Sequence, residues 1–288
     1  MFNESEVDIP YVIAEIGPNF CVSDDPAKNQ ERLARLIDLA CLSGANAIKL
    51  QLKSTNEGGY YTETDLARPA PSGSPFQTRR AYVEAREPTF QLLMGVDHYC
   101  RSRGLDWSAS PWDEESLNLL MRFDVPWIKL ASASLTDTVL LKEVATTGKH
   151  VILSTGMSEL EEIDQAMEIL GKNVTLLYCV SQYPTHPKDI DLKVMETLRK
   201  RYEVQVGYSG HERGTAITLA ATAMGAVVLE RHITMDKDEW GPDHSSSLSP
   251  AEFIQMCRDV RDIRRSTTGT GEKKLNQFEL AAKARLRR

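Results

Sequence analysis

The stretch Val227-Val-Leu-Glu-Arg-His-Ile-Thr-Met-Asp-Lys-Asp-Glu-Trp-Gly-Pro-Asp243 opens as an apolar run of β-formers and breaks directly into polar residues. That is the profile of a buried strand delivering chemistry at its C-terminal end, here Glu230 and His232, with Asp243 farther along the same segment. One strand earlier, Val204-Gln-Val-Gly-Tyr-Ser-Gly-His211 repeats the profile and delivers Ser209 and His211. Two histidines at the ends of consecutive strands, with a carboxylate beside one, are placed to share a divalent metal. The lesser alternative is that each histidine merely satisfies the backbone where its strand stops.

Working outward, the chain shows eight short apolar runs, at 11–15, 45–49, 105–109, 127–129, 150–154, 174–178, 204–207 and 226–229. Helix punctuation lies between them. Asp25-Pro26 sets an N-cap with proline at the first helical position, and Leu33, Leu36, Ile37 and Ala40 then recur on one face. Ser158-Glu-Leu-Glu161 reads as a capping box before a stripe of Leu160, Ile163, Met167 and Leu170. Ser249-Pro250-Ala-Glu252 reads as another, before Phe253, Met256, Cys257 and Val260. Eight strands each followed by a helix predict a parallel (β/α)8 TIM barrel. An open doubly wound sheet would share the alternation, but the strand count favours the barrel, and no G-x-G-x-x-G follows the first strand.

With 288 residues, 41% apolar and 26% charged, the chain suits a single barrel domain over 1–288. A net charge of -7 argues against general nucleic-acid binding, so an anionic ligand needs a local cationic site. Five scattered cysteines without C-x-x-C spacing suggest reduced thiols and a cytoplasmic protein. The acidic, non-apolar first ten residues predict no secretory signal, and no apolar run is long enough to predict a membrane span. Residues 52–80, rich in Gly, Pro, Ser, Thr and Tyr, read as a long βα loop over the barrel mouth, or equally as a disordered surface insertion.

In such a barrel the C-terminal strand ends form the active site. Here they carry Glu15; Lys49 and Gln51; Ser108 and Ser110; Lys129 and Ser132; Ser154 and Thr155; Ser181 and Tyr183; Ser209 and His211; Glu230 and His232. A buried lysine without an anion is costly, so two lysines ringed by hydroxyls point to a phosphorylated or carboxylated substrate.

These residues carry a resemblance. Ala14-Glu15-Ile-Gly17, Lys49-x-Gln51, Lys129-Leu-Ala-Ser132, Ser154-Thr-Gly-Met157, Tyr183-Pro-Thr185, Tyr208-Ser-Gly-His211, Glu230-Arg-His232 and Gly241-Pro-Asp243 follow one another in order. Over residues 8–275 the chain resembles the sialic acid synthase family, whose members condense phosphoenolpyruvate with an N-acyl hexosamine aldehyde, such as N-acetylmannosamine, to give a nonulosonic acid and phosphate. The resemblance implies a carbohydrate-biosynthetic transferase, a homodimer, and a bound divalent metal, Mn2+ first, with Mg2+ or Co2+ as alternatives. It assigns phosphoenolpyruvate to Lys129, Ser110, Ser132, Ser154 and Ser209, with Lys49 at its anionic end. It gives the metal to His211 and His232 with Glu230 nearby, the sugar to Gln51, Tyr183 and Asp243, and the attacking water to Glu15. Ser181 stands where many members contact ligand through asparagine. Phe20 and Ser134 stand where the family has a histidine and an acid. The basic segment 268–288 resembles the lead into a small antifreeze-like domain, which is expected to be absent here and to be replaced by the 52–80 loop, with Arg68, Arg79 and Arg80, or by a separately encoded cap. Two other readings use the same residues: a Schiff-base aldolase on Lys49 or Lys129, and a non-catalytic ligand-binding barrel without its cap.

Overall fold

The computed structural model describes residues 9–287. Its centre is eight parallel strands, β1 (Tyr11–Glu15), β2 (Ala47–Leu52), β3 (Asp106–Pro111), β4 (Trp127–Leu130), β5 (His150–Ser154), β6 (Val174–Tyr178), β7 (Gln205–Gly210) and β8 (Val228–His232). Around and after them come α1 (Pro26–Ser43), α2 (Glu63–Leu66), α3 (Arg79–Arg86), α4 (Phe90–Arg101), α5 (Glu114–Leu120), α6 (Thr138–Thr146), α7 (Leu160–Leu170), α8 (Val194–Tyr202), α9 (Ala216–Ala223), α10 (Pro250–Thr267) and α11 (Gln277–Leu286). The ladder order β3-β2-β1-β8-β7-β6-β5-β4 joins the first strand to the last and curls the sheet into a (β/α)8 barrel. Among the described residues no ladder joins β3 to β4. They lie side by side, and the Ser108 hydroxyl donates to the Trp127 carbonyl across the seam.

Every expected strand forms, but β2, β7 and β8 run on to residues 52, 210 and 232 where the apolar runs stop at 49, 207 and 229. The extra inward-facing residues, Gln51, Ser209, Glu230 and His232, are polar and belong to the strand-end set that the sequence singles out. Strand alternation explains the layering of the interior. Ile13, Ala47, Trp127, Ile152, Leu177 and Val228 pack together as an apolar plug. Two residues farther along the same strands stand Glu15, Lys49, Lys129, Ser154, Cys179 and Glu230. Parallel registers pairing Glu15 with Lys49, Lys49 with Ser108, and Ser209 with Glu230 bring this chemistry to one level. Side chains on the opposite strand faces, such as Ile48, Leu50, Ile128 and Leu130, are fully buried in the shell under the helices. Each such side chain contributes about 1.5–3 kcal/mol of burial.

The helix signals are mostly as expected. Asp25 Oδ1 accepts from Ala27 N at 3.0 Å, Pro26 opens α1, and Leu33, Leu36, Ile37 and Ala40 are buried. The Ser249–Glu252 capping box opens α10 over buried Phe253, Met256, Cys257 and Val260. The other box is displaced by one residue: Glu159 caps α7 with Glu162, and the Ser158 hydroxyl donates instead to the Gly156 carbonyl at 3.3 Å. Of the α7 stripe Ile163 is buried with Ala166, while Leu160, Met167 and Leu170 are partly covered.

The segment 52–80 holds α2 and is pinned to the barrel top. Tyr60 meets Trp112 edge-on at 5.1 Å, and Trp240 Nε1 donates to the Ser72 carbonyl at 3.1 Å. Arg68 and Arg80 do not face the mouth with free charge, since they pair with Asp65 at 3.2 Å and Glu63 at 2.6 Å on the exterior. In the tail, α11 leaves Phe278, Leu280 and Leu286 exposed. No helix among the described residues is long and apolar enough to cross a membrane. All five cysteines are free.

Candidate active site

A cavity of about 230 Å³ opens at the C-terminal ends of the strands. Its wall includes Glu15, Lys49, Gln51, Ser110, Lys129, Ser132, Ser154, Ser181, Tyr183, Ser209, His211, Glu230 and His232. Asp243 stands apart from this wall, beyond β8, with Oδ2 at 3.9 Å from His232 Nδ1. A larger cleft of about 530 Å³ lies outside, between the start of the 52–80 segment and α5, and holds no comparable cluster.

At the floor four charges alternate. Lys49 Nζ lies 3.2 Å from Glu15 Oε2 and 3.7 Å from Glu230 Oε2, and it donates to Ser110 Oγ at 3.0 Å. Lys129 Nζ donates to Ser154 Oγ at 2.6 Å and to the Leu130 carbonyl at 3.0 Å, with Glu230 Oε1 at 3.9 Å. The lysines are therefore not ringed by hydroxyls alone, because each has an internal carboxylate near it. Burial pulls Lys129 down to about 8, against the pull of Glu230. Burial also lowers Lys49, but Glu15 and Glu230 more than reverse it and its pKa ends raised. The two acids diverge. Burial, reinforced by the Glu230 charge, raises Glu15 despite Lys49. Glu230, buried as deeply, is held low by Lys129 and Lys49 together, and it accepts from Ser209 Oγ at 3.0 Å. An acid raised by its surroundings beside one held ionised leaves two buried carboxylates with opposite protonation tendencies. Gln51 Nε2 donates to Glu15 Oε1 at 2.9 Å and fixes that carboxyl, while Glu15 Oε2 faces Lys49 Nζ at 3.2 Å.

The histidine rings stand 5.5 Å apart, and Tyr183 lies 4.1 Å from the His211 ring. His211 Nδ1 is 2.9 Å from the Val180 carbonyl, so it carries the proton and leaves Nε2 with a lone pair. His232 Nδ1 is buried with no hydrogen-bond partner. Burial lowers both rings, His211 to about 4 with His232 adding to it, and His232 to about 3 with Lys49 adding to it. Two neutral imidazoles, one with an unpartnered buried nitrogen, suit a divalent ion. Among the described residues no group of three or more His, Cys, Asp or Glu is arranged to hold a metal. The remaining ligands would have to be water or substrate oxygen.

Several residues here escaped sequence reasoning. Trp112, Met157 and Cys179 line the cavity. Gly156 follows β5 with its N–H donating to Ser132 Oγ at 3.0 Å, and any side chain on it would collide with Ser132, Cys179 and Ser181. Met157 next to it holds φ 60, the left-handed region, at the cavity rim. Arg231 points outward from β8, wholly buried, and pairs with Glu212 at 2.9 Å, which ties β8 to the turn carrying His211. Arg86, at the end of α3, is the arginine whose charge reaches Asp243 and Lys53. The alternation of strand residues could have flagged Cys179, two past Leu177; nothing local in sequence marks Arg86. Ser134 is buried in a short turn and off the cavity wall, and Phe20 is in the core.

Residues 36–273 match the NeuB family. The chain is 34% identical over 279 residues to N,N'-diacetyllegionaminic acid synthase of Campylobacter jejuni, covering 93% of this chain and 80% of that one. It is 34% identical over 284 residues to human N-acetylneuraminate-9-phosphate synthase, covering 96% of this chain and 76% of that one. A crystal structure of N-acetylneuraminic acid synthetase from Leptospira borgpetersenii superposes with a TM-score of 0.80 at 29% identity, covering 98% of this chain and 94% of that one. The chain belongs to the NeuB family.

Proposed function

We propose that this chain condenses phosphoenolpyruvate with the aldehyde of an N-acyl hexosamine, of the N-acetylmannosamine type, releasing phosphate and giving a nonulosonic acid. The observation that carries this reading is Lys129: a fully buried ammonium whose nearest carboxylate oxygen is 3.9 Å away. Such a group costs several kcal/mol of desolvation unless a further anion joins it. The phosphate of phosphoenolpyruvate is that anion, bound by Lys129, Ser154, Ser132 and Ser110, with Lys49 toward the substrate's other negative end. The names of the relatives support the product class.

The enol methylene carbon attacks the aldehyde carbon, and the new C–C bond leaves positive charge on the former enol carbon. Water adds there, and phosphate leaves with the electrons of its C–O bond. Glu15, raised by burial and steadied by Gln51, takes the water's proton. One proton reaches the acceptor's oxygen in turn, so no acid or base is consumed. Glu230 stays ionised and spaces the two lysines, which stabilise the departing phosphate. Tyr183 and Asp243, beside the histidines, are on the acceptor's side, and Ser181 lines the same cavity near Gly156. A divalent cation on His211 and His232, Mn2+ or a similar ion, would supply Lewis-acid stabilisation of developing negative charge. In this reading the mouth is closed by the 52–80 segment, its own or a dimer partner's.

Incubation with phosphoenolpyruvate and N-acylmannosamines, read by phosphate release and product mass, tests the proposal. Phosphate release matched by a product three carbons longer than the acceptor is expected; phosphate release accompanied by pyruvate with the acceptor unchanged would sink it. One observation favours a Schiff-base aldolase instead, since a lysine lowered to about 8 is a better nucleophile. Borohydride with an aldehyde or pyruvate separates the two: an adduct on Lys129 supports the aldolase, and none is expected here.

A further inference from the structure

We propose that Lys53 and Arg86 form a subsite for a phosphate monoester on the end of the acceptor sugar remote from its aldehyde. This rests on the condensation reading above and narrows its acceptor class.

Lys53 directly follows β2, and Arg86 closes α3. Lys53 Nζ sits 3.6 Å from the centre of the Trp112 ring and 5.2 Å from that of Tyr60, and among the described residues it meets no carboxylate at ion-pair distance. Arg86 donates to the Tyr82 hydroxyl and lies 4.6 Å over the Tyr82 ring, while its Nε is buried with no hydrogen-bond partner. Two cations thus stand close together, each on aromatic faces and neither neutralised by direct contact. Burial first, and then the Arg86 charge, pull Lys53 down to about 8. The adjacent acid does not cancel them. Burial pushes Glu87 up to about 7, and its Oε2 is already taken by the Lys53 backbone N–H at 2.6 Å. Asp243 reaches both cations by charge but stands beside His232.

Lys53, Arg86 and Glu87 border a notch with Gly17, Pro18 and Gln51. Gln51 also lines the main cavity, so the notch adjoins it, and neither Lys129 nor Ser154 lines the notch. At about 10 Å³ the notch has room for one oxygen-sized group. A tetrahedral phosphate can place one oxygen there and keep the rest in the cavity, between donors that come from two different elements. A hydroxyl end would leave both charges unpaired. Phosphoenolpyruvate's own phosphate is held at the floor by Lys129, so the notch falls to the far end of the acceptor.

The experiment measures kcat/KM for an N-acylmannosamine and for its terminally phosphorylated form, with phosphoenolpyruvate saturating. The wild-type enzyme should favour the phosphorylated acceptor by about tenfold or more, as expected for two charge-assisted contacts. Arg86→Gln and Lys53→Met should each bring that ratio toward 1, and Arg86→Lys should restore part of it. The two variants are independent readouts, so misfolding of one leaves the other decisive. A wild-type ratio at or below 1, or a high ratio that both variants keep, overturns the subsite. Absence of product from either acceptor instead overturns the condensation reading on which it stands.

Discussion

Lys129 makes the binding of phosphoenolpyruvate a proton-linked event. Its folded pKa of about 8 lies below that of a free lysine, so the burial penalty is full below pH 8 and is relieved as pH rises through 8. A bound phosphate restores the charged form and lifts that pKa again. Binding should therefore take up about 0.1 proton at pH 7, about 0.5 at pH 8 and about 0.9 at pH 9, from the fraction of Lys129 that is neutral beforehand. The shift corresponds to roughly 3 kcal/mol between charged and neutral forms, a coupling large enough to measure. The assay is titration calorimetry in pairs of buffers with different ionisation enthalpies, repeated with Lys129→Arg. The arginine stays charged throughout and should remove the pH 8–9 uptake while keeping some affinity. Uptake that persists unchanged in Lys129→Arg would refute the reasoning and move the titrating group elsewhere, with Glu15 the next to examine.

Other expectations follow from the same geometry. Glu15→Gln should lower kcat by about 10²–10⁴ while leaving phosphoenolpyruvate affinity nearly intact, in a single-turnover assay; loss of binding alone would remove its proton-transfer role. A chelator, or His232→Gln, should abolish phosphate release, with Mn2+ rescuing the chelated wild type but not the variant; full activity in chelator defeats the metal proposal. Arg231→Met strands the buried Glu212 carboxylate and removes the donors to the Glu212 and Gly214 carbonyls, and should cost about 3–5 kcal/mol in urea unfolding. A change below about 1 kcal/mol would show that Glu212 finds another partner, with Tyr208, which already donates to it at 2.8 Å, the first to inspect.

The barrel was legible because parallel strands buried on both faces read as apolar runs, and all eight runs form strands. The polar residues that close the runs were legible as strand ends, and β8 carries Glu230 and His232 through its last two alternate positions. The site's composition was legible for a related reason: parallel strands deliver their polar residues at one set of ends, and here lysine, histidine, glutamate and serine gather there. Its electrostatics were not. That Glu15 and Glu230 would sit between the lysines depends on registers across β1, β2, β4 and β8, which no local pattern encodes. Arg86 was invisible because its reach to Asp243 depends on how α3 folds back over the mouth, and Arg231 because an outward arginine on a buried strand contradicts the ordinary pattern.

The seam between β3 and β4 gives the ring a weak joint. Elsewhere neighbouring strands are stitched by ladders of backbone hydrogen bonds, but among the described residues no ladder joins these two and the Ser108 hydroxyl bridges them. Ser110 stands on one lip and Lys129 on the other. A substrate anion grasped by both would therefore act as a clasp across the joint, linking occupancy of the site to closure of the ring. Amide exchange in β3 and β4 should then be the fastest in the barrel when it is empty and should slow most when phosphoenolpyruvate is bound.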